Sequence, residues 1–272
     1  MEILSLIAER KVTHTAFVPS ILKMCLEYRE IDDSDDISSL QQILVGGAML
    51  PEEIAKRVDL VLGGKLIQVF GTAEGLICTN SLNDSYEIRV SCQGKPISEY
   101  DEIKIIDSNG YEVESEEPGE LITRGPYTIH GYYRLLDNDK YFNKEGFYLT
   151  GDKVIKLKDN SLKVIGRVKE QINRAGEKIM PSELEGLIIT HPDIIDCAVI
   201  GVEDDILGNK ICVYAVANRD IDILELRSYL ESAGIATFKL PDILRLVSKI
   251  PVTAMKKADK AALLAMEKEY YE

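Results

Sequence analysis

The chain has 272 residues, with 32 Lys plus Arg against 46 Asp plus Glu and a formal charge of −14. Neither half carries the basic face that would displace counterions from a duplex or hold an anionic membrane, so neither nucleic acid nor membrane is an expected partner. Apolar residues make up 45%, which suits a buried core and not a disordered chain, and the length predicts about two domains.

The five cysteines, Cys25, Cys78, Cys92, Cys197 and Cys212, are odd in number and widely spaced. That pattern fits a reducing cytoplasm better than a disulfide framework. His14, His130 and His191 stand far apart, so no zinc-ligand spacing is visible. Met1-Glu2-Ile3-Leu4 is no basic n-region, and no apolar run approaches the roughly 18 residues of a membrane span. No export signal is expected.

In chain order, residues 1–95 read as alternating strand and helix. Ile43-Leu44-Val45 is a buried-strand run ending in Gly46-Gly47. Pro51-Glu52-Glu53 then opens a helix whose apolar positions Ile54, Val58 and Val61 repeat at helical spacing, and Gly63-Gly64 stops it. A strand from Leu66 to Phe70 follows and ends in Gly71. This β-α-β unit predicts a parallel pair, with the two glycine turns bordering one crevice beyond the carboxyl ends of the strands. Asp32 to Asp36 reads as a solvated loop.

From 96 to 168 short β runs alternate with turn signals: Glu102 to Ile106, Glu120 to Thr123, Phe147 to Leu149, Val154 to Leu157 and Leu162 to Ile165. That spacing predicts a small barrel-like β unit. The remainder, 169–272, predicts a separate α+β domain. Its expected elements are a helix from Pro181 through Ile189, strands Cys197 to Gly201 and Ile211 to Ala217, a helix Ile223 to Ser232 and a terminal helix Ala262 to Tyr270.

Five turn motifs stand in order: Val69-Phe70-Gly71-Thr72-Ala73-Glu74-Gly75; Gly119 to Pro126, followed by Gly131-Tyr132-Tyr133; Gly146 to Asp152; Gly166 to Ile179; and Pro251 to Lys257. As a set they resemble the adenylate-forming superfamily of acyl-CoA synthetases, luciferases and nonribosomal peptide synthetase adenylation domains. Gln68 to Leu76, Gln93-Gly94-Lys95-Pro96, Gly125 to Ile129 and Gln171-Ile172-Asn173-Arg174 are most similar to aryl-acid ligases of the 2,3-dihydroxybenzoate or salicylate AMP ligase type, enzymes of siderophore and secondary-metabolite biosynthesis.

The resemblance implies an α/β fold: part of an amino-terminal α/β domain with its β subdomain, and a mobile α+β carboxy-terminal domain hinged at Lys169. It also implies a reaction, in which a carboxylate and ATP give an acyl adenylate and pyrophosphate, and the acyl group passes to a thiol of CoA or a carrier protein. The Ser/Thr/Gly-rich phosphate loop ending in Pro-Lys, which the family carries upstream, does not occur in these 272 residues. The expectation is therefore a chain inactive alone, with a separate chain supplying the front half, or else a degenerate non-catalytic nucleotide- or carrier-binding module. A homodimer through residues 1–95 is expected from the sheet edge left open.

Residue by residue, Glu74 is the implied Mg²⁺ ligand, although taken alone it reads as an exposed loop carboxylate. Thr72, Gly46 and Gly47 are implied to lie near the α-phosphate and adenine of ATP or AMP. Asp152, expected at a strand end, is either a turn former or the acceptor for both ribose hydroxyls, with Arg167 as a donor to the same sugar or as a surface ion pair. Lys257 falls where the family has its adenylating lysine, with Lys256 in place of the preceding glycine, and as a bare sequence it reads equally as part of a solvated lysine run. The acid favoured by the resemblance is an aryl acid.

Overall fold

The computed structural model describes residues 2–135, 137–253 and 257–270. It divides into two units, Met1–Ile165 and Gly166–Glu272.

The first unit opens with α1 (Glu2–Arg10), β1 (His14–Phe17), α2 (Pro19–Ile31), β2 (Gln42–Gly46), α3 (Glu52–Leu62), β3 (Lys65–Thr72), β4 (Leu76–Thr79), α4 (Tyr86–Ser91) and β5 (Lys95–Pro96). The strands form one sheet in chain order. The pairs β1–β2 and β2–β3 are parallel, and β3–β4 and β4–β5 antiparallel. The predicted β-α-β unit is therefore present. α3 has Glu52 and Glu53 in its first turn, where carboxylates complement the helix dipole, and ends at Gly63 with φ 77°. It buries Ile54, Ala55, Val58 and Leu62, each worth about 1.5–3 kcal/mol or less according to size. One detail departs from the sequence reading: Gly71 does not end its strand, because β3 runs on to Thr72 and pairs Gly71 with Ile77.

The second sheet of this unit is β6 (Glu102–Ile106), β7 (Pro118–Arg124), β8 (Tyr148–Lys156) and β9 (Leu162–Arg167), in that order. Among the described residues it is open, with β6 and β9 as edges, and does not close into a barrel. The runs at 147–149 and 154–157, read as separate strands, are one continuous β8. The chain passes Gly151 at φ 70°, and the β7–β8 register shifts between Glu120 and Ile122. Gly151 thus makes a bulge rather than a turn. The two motif glutamines tie the sheets together. Gln68 Nε2 donates to the Arg89 and Val90 carbonyls, Gln93 Nε2 donates to Gln68 Oε1 at 2.8 Å, and Gln93 Oε1 accepts the Val164 N–H on β9 at 2.8 Å.

The second unit begins with a hairpin, β10 (Ile172–Arg174) and β11 (Glu177–Ile179), then α5 (Pro181–Ile188), β12 (Ile194–Asp204), β13 (Gly208–Ala217), α6 (Ile223–Ser232), β14 (Ile243–Leu246) and α7 (Lys260–Glu269). β12 and β13 pair antiparallel, β13 and β14 parallel. Period-two alternation sends Val199, Ile211, Val213 and Ala215 to one face, with Leu184, Ile188, Leu226 and Leu230 of α5 and α6. Ala198, Ile200, Cys212 and Tyr214 go to the other, with Leu263 of α7. On that face Glu267 is buried, accepts the Tyr214 hydroxyl at 2.6 Å and pairs with Arg245 at 2.7 Å. All five cysteines are free. Among the described residues no helix is long and apolar enough to cross a membrane.

Candidate functional site

β3 and β4 are joined by the turn Ala73-Glu74-Gly75, closed by the Gly75 N–H donating to the Thr72 carbonyl at 3.2 Å. A second segment fixes this turn from outside. The Ile129 N–H donates to the Glu74 carbonyl at 2.8 Å, and Thr128 Oγ1 donates to the Gly75 carbonyl at 3.1 Å. The approach is so close that a Cβ on Gly75, whose φ is 119°, would lie 2.5 Å from Thr128 Cα. Only glycine fits there. The Glu74 backbone is held from both sides.

The Glu74 side chain is held too. The Tyr132 hydroxyl donates to Oε1 at 2.6 Å and lies 3.5 Å from the Tyr148 hydroxyl on β8. Tyr132 is itself positioned by its N–H bonding Asn138 Oδ1 at 2.8 Å and by edge-on packing against Tyr141, ring centroids 5.1 Å apart. Burial first, and then the bond to Glu74, push the Tyr132 pKa up, so its hydroxyl stays a donor. The sequence reading named Gly131-Tyr132-Tyr133 without giving Tyr132 a task. The available signal was a tyrosine pair behind a glycine in one of the ordered motifs.

Gly46 is the last residue of β2, the parallel neighbour of β3, and Gly47 follows it, so they and the Glu74 turn share one end of the sheet. A Cβ on Gly46 would meet the Val69 carbonyl oxygen at 2.8 Å, and Gly47 sits at φ 85°. Thr72 Oγ1 is shielded from solvent and has no hydrogen-bond partner among the described residues. Asp152 is 5% exposed, inside β8 and not at its end. The bulge explains its placement. Thr150 Oγ1 donates to the Leu121 carbonyl at 2.8 Å and accepts the Asp152 N–H at 3.0 Å, while the Gly151 N–H reaches Glu120 Oε1 at 3.2 Å. The aromatic chain from Tyr148 through Tyr132 connects β8 to Glu74.

Arg167, Lys169 and Lys257 belong to the second unit and are exposed. Arg167 ends β9, and Lys169 lies in the single helical turn Val168–Glu170. Lys257 closes a short loop, its carbonyl accepting the Thr253 N–H at 2.8 Å. Lys256 lies outside the described residues.

Glu74 fits a magnesium ion. It is one half-buried carboxylate whose Oε1 accepts the Tyr132 hydroxyl, which leaves Oε2 for a cation. Mg²⁺ is held by one or two carboxylates with water and substrate phosphate completing its octahedron. A second group of candidate ligands, His191, Asp193 and Glu225, fits a metal poorly. Arg219 already pairs with both carboxylates, and His191 Nδ1 accepts the Asp193 N–H at 3.2 Å.

A family model for AMP-binding enzymes matches residues 1–133, and one for the AMP-binding enzyme C-terminal domain matches residues 183–257. The chain belongs to this adenylate-forming family. Pyochelin synthase PchD of Pseudomonas aeruginosa is 45% identical over 261 residues, which cover 95% of this chain and 48% of that protein. The 2,3-dihydroxybenzoate-AMP ligase of Bacillus subtilis is 42% identical over 260 residues, covering 95% and 48%. Among solved structures, o-succinylbenzoate CoA synthetase of Bacillus subtilis with its acyl-adenylate intermediate superposes with a TM-score of 0.84 at 28% identity, covering 96% of this chain and 53% of that one. The chain spans about half the length of the curated relatives it matches.

Proposed function

We propose that this chain is the carboxy-terminal portion of an acid-activating ligase that joins a carboxylate to ATP, releases pyrophosphate and passes the acyl group from the adenylate to a thiol. The observation that carries this reading is the Glu74 turn, whose backbone is pinned by 127–129 and whose carboxylate is aimed by Tyr132. A fixed carboxylate at the carboxyl end of a parallel sheet suits a phosphate-bound cation. Mg²⁺ bound there would neutralise charge on the phosphate chain. In the same reading Thr72 donates to the α-phosphate, and the Gly46-Gly47 turn lets backbone approach the adenine. Asp152 accepts from the ribose hydroxyls, with Arg167 as a donor to that sugar. Lys257 supplies the cation for the carboxylate and phosphate, and Lys169 is the hinge. The relatives named for 2,3-dihydroxybenzoate support an aryl acid as substrate, the o-succinylbenzoate CoA synthetase supports CoA as the thiol, and a carrier protein is the other acceptor in this reading. The free thiols support a reducing cytoplasm.

Assayed alone, the 272-residue chain makes no acyl adenylate, because backbone donors to the β- and γ-phosphates come from a loop it does not contain. Combined with a polypeptide carrying that loop, it supports acid-dependent pyrophosphate exchange, and Glu74→Ala abolishes this. Exchange that survives Glu74→Ala would overturn the assignment.

A second reading, a non-catalytic module that retains AMP, is favoured by Lys256 standing where the family has glycine. AMP binding by calorimetry with no exchange in the reconstituted pair would select it.

A further inference from the structure

Lys260 is the first residue of α7, where a cation opposes the helix dipole and its placement needs another cause. Its side chain is 21% exposed, with Nζ 2.7 Å from Glu170 Oε2 and 3.0 Å from Glu185 Oε1. Glu185 Oε1 also accepts the Val199 N–H at 2.8 Å, which ties this carboxylate to β12. Burial by itself would lower the Lys260 pKa, but the charges of Glu185 and Glu170 more than reverse it, so the ammonium persists. The three groups come from separate parts of the second unit: the turn Val168–Glu170, α5 and α7.

Lys257 stands three residues upstream, and the described residues on either side of it are tied to one another and to the start of α7. The Thr253 N–H donates to the Lys257 carbonyl at 2.8 Å, the Asp259 N–H donates to the Pro251 carbonyl at 2.8 Å, and Val252 bridges Ala258. The Asp259 side chain then caps α7 by accepting the Ala262 N–H at 3.0 Å. Where α7 goes, the Lys257 backbone follows. The far end of α7 is fixed independently by Glu267 against Arg245 and Tyr214. Lys260 is therefore the one clamp, of those at the two ends, that faces the segment after β9.

We infer that Lys260 is a positioning residue, whose ion pairs with Glu170 and Glu185 hold the Lys257 loop and the turn next to Lys169 as one body. The inference rests on the reading of Lys169 as hinge and Lys257 as the adenylating lysine. A rotation at Lys169 is then delivered to the Lys257 ammonium without loss, and placement matters because a misplacement of about 1 Å can cost a hundredfold in rate.

The test uses the full chain and limited trypsin digestion, with cleavage after Arg167 and after Lys257 timed by mass spectrometry. In Lys260→Met, and separately in Glu170→Ala, cleavage rises at both sites, by about tenfold, as expected when a clamp on a local opening is removed. Lys260→Arg, which keeps the charge, restores protection at both. A rise after Lys257 with Arg167 unchanged, or no rise at either site, would overturn the inference, since a lysine that merely packs α7 loosens only its own helix. Should Lys260→Met unfold the chain, Glu170→Ala decides alone, because it leaves Lys260 paired with Glu185. The readout needs no catalysis. Failure of acid activation would sink the proposed reaction, while the digestion pattern judges the clamp.

Discussion

In the role proposed for Glu74, a carboxylate gains from having one oxygen already committed, and Tyr132 commits Glu74 Oε1. Partners of this kind typically carry 10- to 100-fold in metal affinity. Tyr132→Phe in the reconstituted enzyme should therefore raise the Mg²⁺ concentration needed for half-maximal pyrophosphate exchange by about tenfold while the thermal midpoint of the chain moves little. A Mg²⁺ titration decides it, and an unchanged half-saturation point would count against a positioning role. The sequence showed Glu74 in the turn after one strand and Gly47 after its neighbour, because local turn chemistry writes those positions, while Thr72 and Gly46, read as beyond the strands, are their last residues. It did not show the Tyr132–Glu74 bond, since that contact joins residues 58 apart and depends on how the 127–132 segment crosses the hairpin. Asp152 was legible as a residue but not as a place. Thr150-Gly151 reads as the end of a strand, and only the facing β7 turns it into a bulge.

Among the elements, the β3–β4 hairpin illustrates how tightly a loop can be specified. Gly75→Ala brings a methyl group to 2.5 Å from Thr128 Cα at a φ of 119°. Backbone strain and overpacking together should destabilise the chain by about 2–4 kcal/mol, measurable as a lower midpoint in urea. A result within about 0.5 kcal/mol of wild type would mean the 127–129 segment yields freely. The strands also hide their thiols. Burial pushes Cys78 on β4 and Cys212 on β13 up to about 12, with the charges of Asp101 and Glu267 respectively adding to the rise. Iodoacetamide at pH 8 should therefore leave both unmodified in the native chain, while the less buried Cys197 reacts first. Early labelling of Cys78 or Cys212 in mass spectra would contradict their placement. Elements with a strong period, such as α3 and α6, were readable. β14 was missed because its four residues carry no alternation and acquire strand structure only by pairing with β13.

For the molecule as a whole, acid sensitivity follows from paired carboxylates in the second unit. Burial alone would raise the pKa values of Asp242 and Glu267, but the hydrogen bonds from Arg174 and Arg245 outweigh it and hold both below the usual carboxylate range. A depressed folded pKa means the unfolded chain binds more protons at intermediate pH. The resulting stability is present above about pH 4 and is lost as pH falls through the folded values. Unfolding followed by circular dichroism from pH 6 to 2 should show stability falling below pH 4, with a shallower fall in Glu267→Gln. An equal slope in that variant would remove Glu267 from the account.

Association is also decided at this scale. β1 is the edge of its sheet, pairing only with β2 among the described residues, and Ala16 and His14 on it are exposed. Open edges invite pairing, so we propose that these 272 residues expressed by themselves at tens of micromolar scatter light as a homodimer, which a Kd near 1 μM, or about 8 kcal/mol, would produce. A monomer under those conditions would remove the edge as a self-association surface.

The sheet order of the second unit also dictates a sequence of events in time. β12 and β13 are joined by residues 205–207 and can zip from that turn outward, a local closure. β14 pairs parallel to β13 only after α6 has carried the chain across, and α7 packs on a face those strands must first complete. Loop-closure entropy is therefore spent early on the hairpin and late on β14. Lys257 lies beyond β14 and before α7, so its position is fixed only once both have docked. During refolding, the cation proposed for chemistry therefore arrives together with α7, after the strands of its unit have paired.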